Sequence, residues 1–225
     1  IVPMARDMQG PMNGPAAWMM TRVWDARHTS LLAAMWIVMM IGMMLPSVAP
    51  MLLIYAGVMR SSADGPRAAL RVYPMVAGYV LVWIAFSLGA AALQRALGAT
   101  VLTPMMTLQS SLTSAALLVV AAIYQLTPVK QVCLDSCRSP IAFILSRMRP
   151  GAAGAFRLGL EHGLYCLGCC WALMLLLFAG GVMNLWTIAA LTAVVLIEKL
   201  APFGAWTRRL NAAGLFLAAA WMVIR

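Results

Sequence analysis

The sequence predicts an all-α protein, a polytopic transmembrane helical bundle of about six spans. Three observations carry that expectation. Hydrophobic residues fill 64% of the 225 positions and the mean hydropathy is +0.90. Charged residues make up 10%, against roughly 25% in soluble domains. The apolar residues also fall in runs near the roughly 20 that a helix needs to cross a bilayer core. The net charge of +10 would suit nucleic acid if the basic residues formed one stripe. They are instead scattered through the connecting segments, so the expected partner is the lipid bilayer and no nucleic acid.

Residues 1–30 read as an extramembrane N-terminal arm, broken by Pro3, Pro11 and Pro15 and carrying Arg22, Asp25, Arg27 and His28. Residues 31–225 read as a single transmembrane domain. Its first span, 31–59, is expected to kink at Pro46 and Pro50, since proline lacks the backbone donor of a continuing helix. The second covers 72–94, and the third 108–126, opening on the polar "QSSLTS". A Cys-containing loop at 127–157 follows, in which "CRSPIAFILSRM" could form a short interfacial helix. Spans four, five and six cover 158–182, 185–200 and 210–224. The sequence opens on Ile1 rather than Met, which leaves room for a preceding segment, and no signal-peptide pattern stands at this start.

Lys and Arg set the expected orientation, because basic loops stay cytoplasmic. Eleven of them fall after spans one, three and five, against five on the other side. The 127–157 loop is therefore placed in the cytoplasm, and both ends of the chain outside.

The stretch "EHGLYCLGCC" (161–170) puts polar donors into an apolar run. At 100° per residue, His162, Cys166 and Cys169 share a sector of about 60° and Cys170 stands beside it. Side chains four apart on a helix lie about 5–6 Å from each other, close enough to share an ion. Imidazole with thiolate suits zinc or copper, and thiolate-rich sets favour copper(I). Packing is the competing account, because buried cysteine is also an ordinary small core residue. Disulfides are not expected, since Cys166, Cys169 and Cys170 share one helix and Cys133 and Cys137 lie on the reducing side.

Flanking residues extend the candidate set. "CLDSC" (133–137) leads toward span four, and Cys133 and Cys137 could join its site or form a hand-off pair. Glu161 and Glu198 are the acids at the span edges, where a carboxylate usually faces a cation or a proton path. Each also has a plain account: Glu161 in the first turn of span four, favoured by the helix dipole, and Glu198 as an interfacial pair with Lys199. Span one carries Met35, Met39, Met40, Met43, Met44 and Met51. Thioethers at i,i+4, among them Met39 with Met43 and Met40 with Met44, can hold copper(I). As flexible apolar filler they would need no ligand role.

The segments "MMIGMMLPSVAPMLLIY", "CLDSCRSPIAF", "GLEHGLYCLGCCWALMLLLFAGGVMNL" and "EKLAPFG" together resemble a bacterial family of predicted metal-binding integral membrane proteins, a domain-of-unknown-function family. The resemblance runs from Trp36 to Gly204. It implies a multi-pass protein of the bacterial inner membrane with a metal site at His162, Cys166, Cys169 and Cys170, flanked by Cys133, Cys137 and Glu198.

The expected function is copper binding, relay or insertion by a Cys/His/Met ligand set, with zinc as the alternative metal and other membrane subunits or a copper chaperone as partners. The competing reading is a subunit of a copper-dependent, monooxygenase-like membrane oxidoreductase acting on a small apolar substrate. Against it, the chain holds only two His. No catalytic residue is assigned. A secondary transporter using Glu161 and Glu198 lacks the inverted repeat that such folds show, and a purely structural subunit is the remaining possibility.

Overall fold

The computed structural model describes residues 26–60, 70–97, 110–182, 184–201 and 204–224, and every regular element among them is a helix. In chain order these are α1 (Ala26–Arg60), α2 (Val72–Leu97), α3 (Ser111–Leu126), α4 (Pro128–Arg138), α5 (Pro140–Arg147), α6 (Gly151–Leu175), α7 (Leu177–Gly180), α8 (Leu185–Leu200) and α9 (Gly204–Ile224). The all-α expectation holds. Most of the expected arm lies outside the described residues. Its last part is already helical, because nothing between Ala26 and the apolar run breaks a helix, and His28 is buried in the first turns of α1.

By length and composition, α1, α2 and the α6–α7 stretch Gly151–Gly180 could cross a membrane. The bent pair α3–α4 gives a fourth candidate if counted as one span. The 16 residues of α8 fall short of a full crossing. Helix α1 continues through Pro46 and Pro50. Pro46 and Pro50 withhold an N–H from the Gly42 and Pro46 carbonyls, and between them the Met44 carbonyl accepts from Ser47 Oγ at 2.8 Å and from Tyr79 Oη at 3.2 Å.

The segment 127–157 is not a loop. Thr127 precedes a proline, which drives it to an extended conformation (φ −69°, ψ 147°). Its Oγ donates to the Tyr124 carbonyl at 2.8 Å and accepts from the Lys130 N–H at 3.3 Å. Pro128 then sits in the first turn of α4, where its missing N–H is not needed. The result is a 65° bend between α3 and α4. Pro140 likewise sits in the first turn of α5, although Ser139 before it makes no side-chain cap. Helix α6 starts at Gly151, earlier than the apolar run suggests, so Glu161 and His162 lie well inside it and not in its first turn.

Helices α2 and α6 form the most extensive pair. They run parallel in backbone contact: a Cβ on Gly78 would overlap the Phe156 carbonyl oxygen, and one on Gly159 the Met75 carbonyl oxygen. Such small residues let helices approach closely where lipid supplies no hydrophobic drive. Helix α1 packs antiparallel to α2, with Trp36 Nε1 donating to Gln94 Oε1 at 2.6 Å toward one end and the Tyr79–Met44 bond lying further along. Helices α3 and α9 make a second pair, in which Arg208 reaches the Thr127 carbonyl at 3.3 Å and Gln131 Oε1 at 3.2 Å. Helix α8 touches α1, α4, α6 and α9.

Candidate metal centre

The α6 thiols lie where the helical periodicity puts them. Cys166, Cys169 and Cys170 are all buried. The Sγ atoms of Cys169 and Cys170 both donate to the Cys166 carbonyl, at 3.0 and 2.9 Å. Cβ vectors on a helix tilt toward its N-terminus, so thiols three and four residues on fold back over that carbonyl. Three sulfurs are gathered within one turn.

The α4 thiols meet them. On α4, Lys130, Cys133, Leu134 and Cys137 follow i, i+3, i+4, i+7 spacing and make one face. Cys137 lies on the same face one turn further along α4, which packs against α6. Cys133 Sγ rests against Gly168, 2.7 Å from where a Cβ would stand. Both are half-buried, and all five cysteines are free thiols. The sequence gives the i,i+4 spacing of "CLDSC" little weight when 127–157 is read as a loop; on a helix it becomes a second thiol face.

Around Cys166 the structure adds three groups that sequence reasoning missed. Lys199 Nζ donates to Cys166 Sγ at 2.8 Å and to Ser47 Oγ at 3.0 Å, and Tyr79 Oη lies 3.1 Å from the same sulfur. Helices α1, α2, α6 and α8 therefore converge on one thiol. Lys199 reads in the sequence as an interfacial partner of Glu198. Neighbouring helical residues point about 100° apart, and that offset was the available signal.

His162 is buried one turn before Cys166, its ring edge-on to Phe143 at 5.2 Å and tilted over Tyr79 at 6.0 Å. Its Nδ1 has no hydrogen-bond partner among the described residues. A buried nitrogen in that state usually has an account, such as an ion or water that would satisfy it.

The two acids are engaged elsewhere. Glu161 accepts from Arg147 and Arg157, each at 2.9 Å. Arg147 also lies over the Phe143 and Tyr165 rings, and the Glu161 carboxylate holds its guanidinium above the ordinary range. Glu198 takes Lys130 Nζ at 2.7 Å on one oxygen and Asn211 Nδ2 at 2.6 Å on the other. That ion pair is 1–2% exposed. Arg138 donates to the carbonyls of Glu198 and Ala201, capping the C-terminus of α8 with a cation, which the helix dipole favours.

Met39, Met40, Met43 and Met44 are all buried in α1. Met174, buried four residues beyond Cys170, continues a sulfur stripe along α6 that sequence reasoning also missed. The Trp36–Phe178 ring contact at 5.4 Å marks one end of a slab, and Tyr79, bound to Met44 and Cys166, marks the other. Met39, Met40 and Met43 fall between these marks on α1, as Cys170 and Met174 do on α6. Among the described residues, no group of three or more His, Cys, Asp and Glu forms a ready cage for an ion. Thiols without a four-donor cage suit a soft ion of low coordination number better than a tetrahedral one.

Among protein-family models, the one described as "PpoB2: Copper chaperone" matches residues 33–223. Comparison with curated proteins and with solved structures gives no match.

Proposed function

This chain belongs to the PpoB2 copper chaperone family, and from that membership we propose that it is a membrane-embedded carrier that takes up copper(I) and passes it on. The observation that carries the reading is the meeting of the α4 and α6 thiol faces, with Cys133 Sγ against Gly168 and Cys137 on the same face of α4. Copper(I) is soft and accepts two thiolates, which such a pair supplies without further donors. His162, with its unsatisfied Nδ1, is a third donor one turn away. The methionines of α1 with Met174 form the soft approach, since thioethers bind the ion without losing a proton. Zinc fits less well, because structural zinc asks for four donors around one point. Glu161 and Glu198 serve as ion-pair partners and not as ligands.

Membrane insertion is supported by the three long apolar helices and by the apolar surface of the helices as a whole. Leu53, Leu81, Leu112 and Leu217 are exposed, as are Trp186, Trp206 and Trp221 near helix ends. Exposed apolar area on this scale marks a lipid or protein contact, and tryptophan favours the bilayer interface. The resemblance of the sequence to bacterial membrane proteins supports an inner-membrane location. A copper-accepting protein or neighbouring membrane subunit is the partner this function requires.

The test is a competition titration of the detergent-purified protein with copper(I) against a chromogenic chelator. The wild type should bind copper(I). Cys166→Ser and Cys137→Ser should each weaken binding by about a hundredfold or more, from loss of one of two principal ligands. A wild type that leaves all copper on the chelator ends the carrier reading. Unchanged affinity in both variants removes the α4–α6 pair from it.

A further inference from the structure

Lys199 is a buried cation with an unusual set of neighbours. Its ammonium group contacts a thiol and a serine hydroxyl, and Tyr79 Oη lies 3.1 Å from the same sulfur. Among the described residues no carboxylate stands within ion-pair distance of it. Glu198, the next residue back, is turned to Lys130 and Asn211. The other basic groups nearby are committed: Lys130 to Glu198, Arg138 to the end of α8, and Arg208 to Thr127 and Gln131. Apart from the thiols themselves, the charged group next to Cys166 among the described residues is therefore the Lys199 ammonium.

That charge has a consequence for whatever the thiols hold, and the argument rests on the copper-carrier reading. Thiols lose their protons when they become ligands. Two thiolates around a monovalent ion carry one net negative charge, and Lys199 brings the buried assembly to neutrality. Two thiolates around a divalent ion are already neutral, and Lys199 would leave a positive charge in a dry interior, which is costly. We propose that Lys199 is the residue that makes this centre selective for a monovalent soft ion over a divalent one. Softness alone does not discriminate this way, because thiolates bind zinc as well as copper. The added element is a fixed charge 2.8 Å from the sulfur, close enough for the local dielectric to make it decisive.

The experiment measures copper(I) and zinc(II) affinities of the detergent-purified protein by chelator competition and takes their ratio. Lys199→Met removes the charge and keeps most of the stem. Lys199→Arg keeps the charge. Ser47→Asp leaves Lys199 in place and sets a carboxylate beside its ammonium group. In Lys199→Met and Ser47→Asp the copper-to-zinc ratio should fall at least about tenfold, while Lys199→Arg stays within about threefold of the wild type. A merely structural lysine would lower both affinities together and leave the ratio unmoved. If Lys199→Met does not fold, Ser47→Asp decides alone. A ratio unchanged in the decisive variant, or altered as much in Lys199→Arg as in Lys199→Met, overturns the selectivity role while copper binding stands. A wild type that binds no copper(I) overturns the carrier reading itself and this inference with it.

Discussion

The thiols of α6 and those of α4 face the same space, but different forces hold the two helices there. Helix α6 is pressed against α2 with glycines in backbone contact, and Cys166, Cys169 and Cys170 are buried on it. Helix α4 is 11 residues long, follows a 65° bend, and is tied to α8 by the Lys130–Glu198 pair and by Arg138. Its cysteines are half-buried. One donor set is fixed by shape, the other by charge. Close packing resists displacement in every direction and has no single weak point. A buried ion pair fails once either partner is lost, because the survivor is left charged and unpaired.

Breaking the polar attachment should have the largest effect. Lys130→Met leaves Glu198 buried with Asn211 as its remaining side-chain partner, at a cost of about 3–5 kcal/mol. In thermal unfolding the midpoint should drop, and Cys137 should react with a maleimide much faster than Cys166. The double variant Lys130→Met/Glu198→Gln sharpens the comparison, since removing both charges should recover much of the loss. If the double variant is no better than the single, charge is not what holds α4.

Disturbing the packed half comes next. Gly159→Ala drives a methyl group into the Met75 carbonyl, and the overpacking should cost about 1–3 kcal/mol. Here Cys166, Cys169 and Cys170 should gain reactivity together, because the helix moves as a unit. Selective exposure of Cys137 in this variant would contradict the division drawn above. The smallest effect belongs to Gly168→Ala, whose added methyl meets only the end of one side chain, Cys133. Stability should change by less than about 1 kcal/mol, within the range of a local adjustment. Cys133 alone should change its alkylation rate.

These two regions were not equally legible in the sequence. Helices α1, α2 and α8 and the single polar face of α6 follow from hydropathy and a 3.6-residue period, which are local properties. The 127–157 stretch reads as a loop because its polar residues dilute the apolar pattern. Thr127 and Pro128 were nonetheless a start signal for α4, as a capping side chain followed by a first-turn proline. Glu198 and Lys199 look like a surface pair because they are adjacent. Only the packing of α4, α6 and α1 around α8 shows that one faces a lysine and the other a thiol. Tyr79 and Ser47 carry no mark in the sequence, for their role depends on which helix crosses theirs.

The ion pair between Lys130 and Glu198 also orders events during synthesis. As the ribosome releases the chain, Cys133 and Cys137 emerge before the α6 thiols and well before Glu198 and Lys199. A nascent chain that stops short of α8 therefore carries all five cysteine thiols without the salt link that seats α4. Completion of α8 supplies the partner that seats α4 beside the α6 thiols.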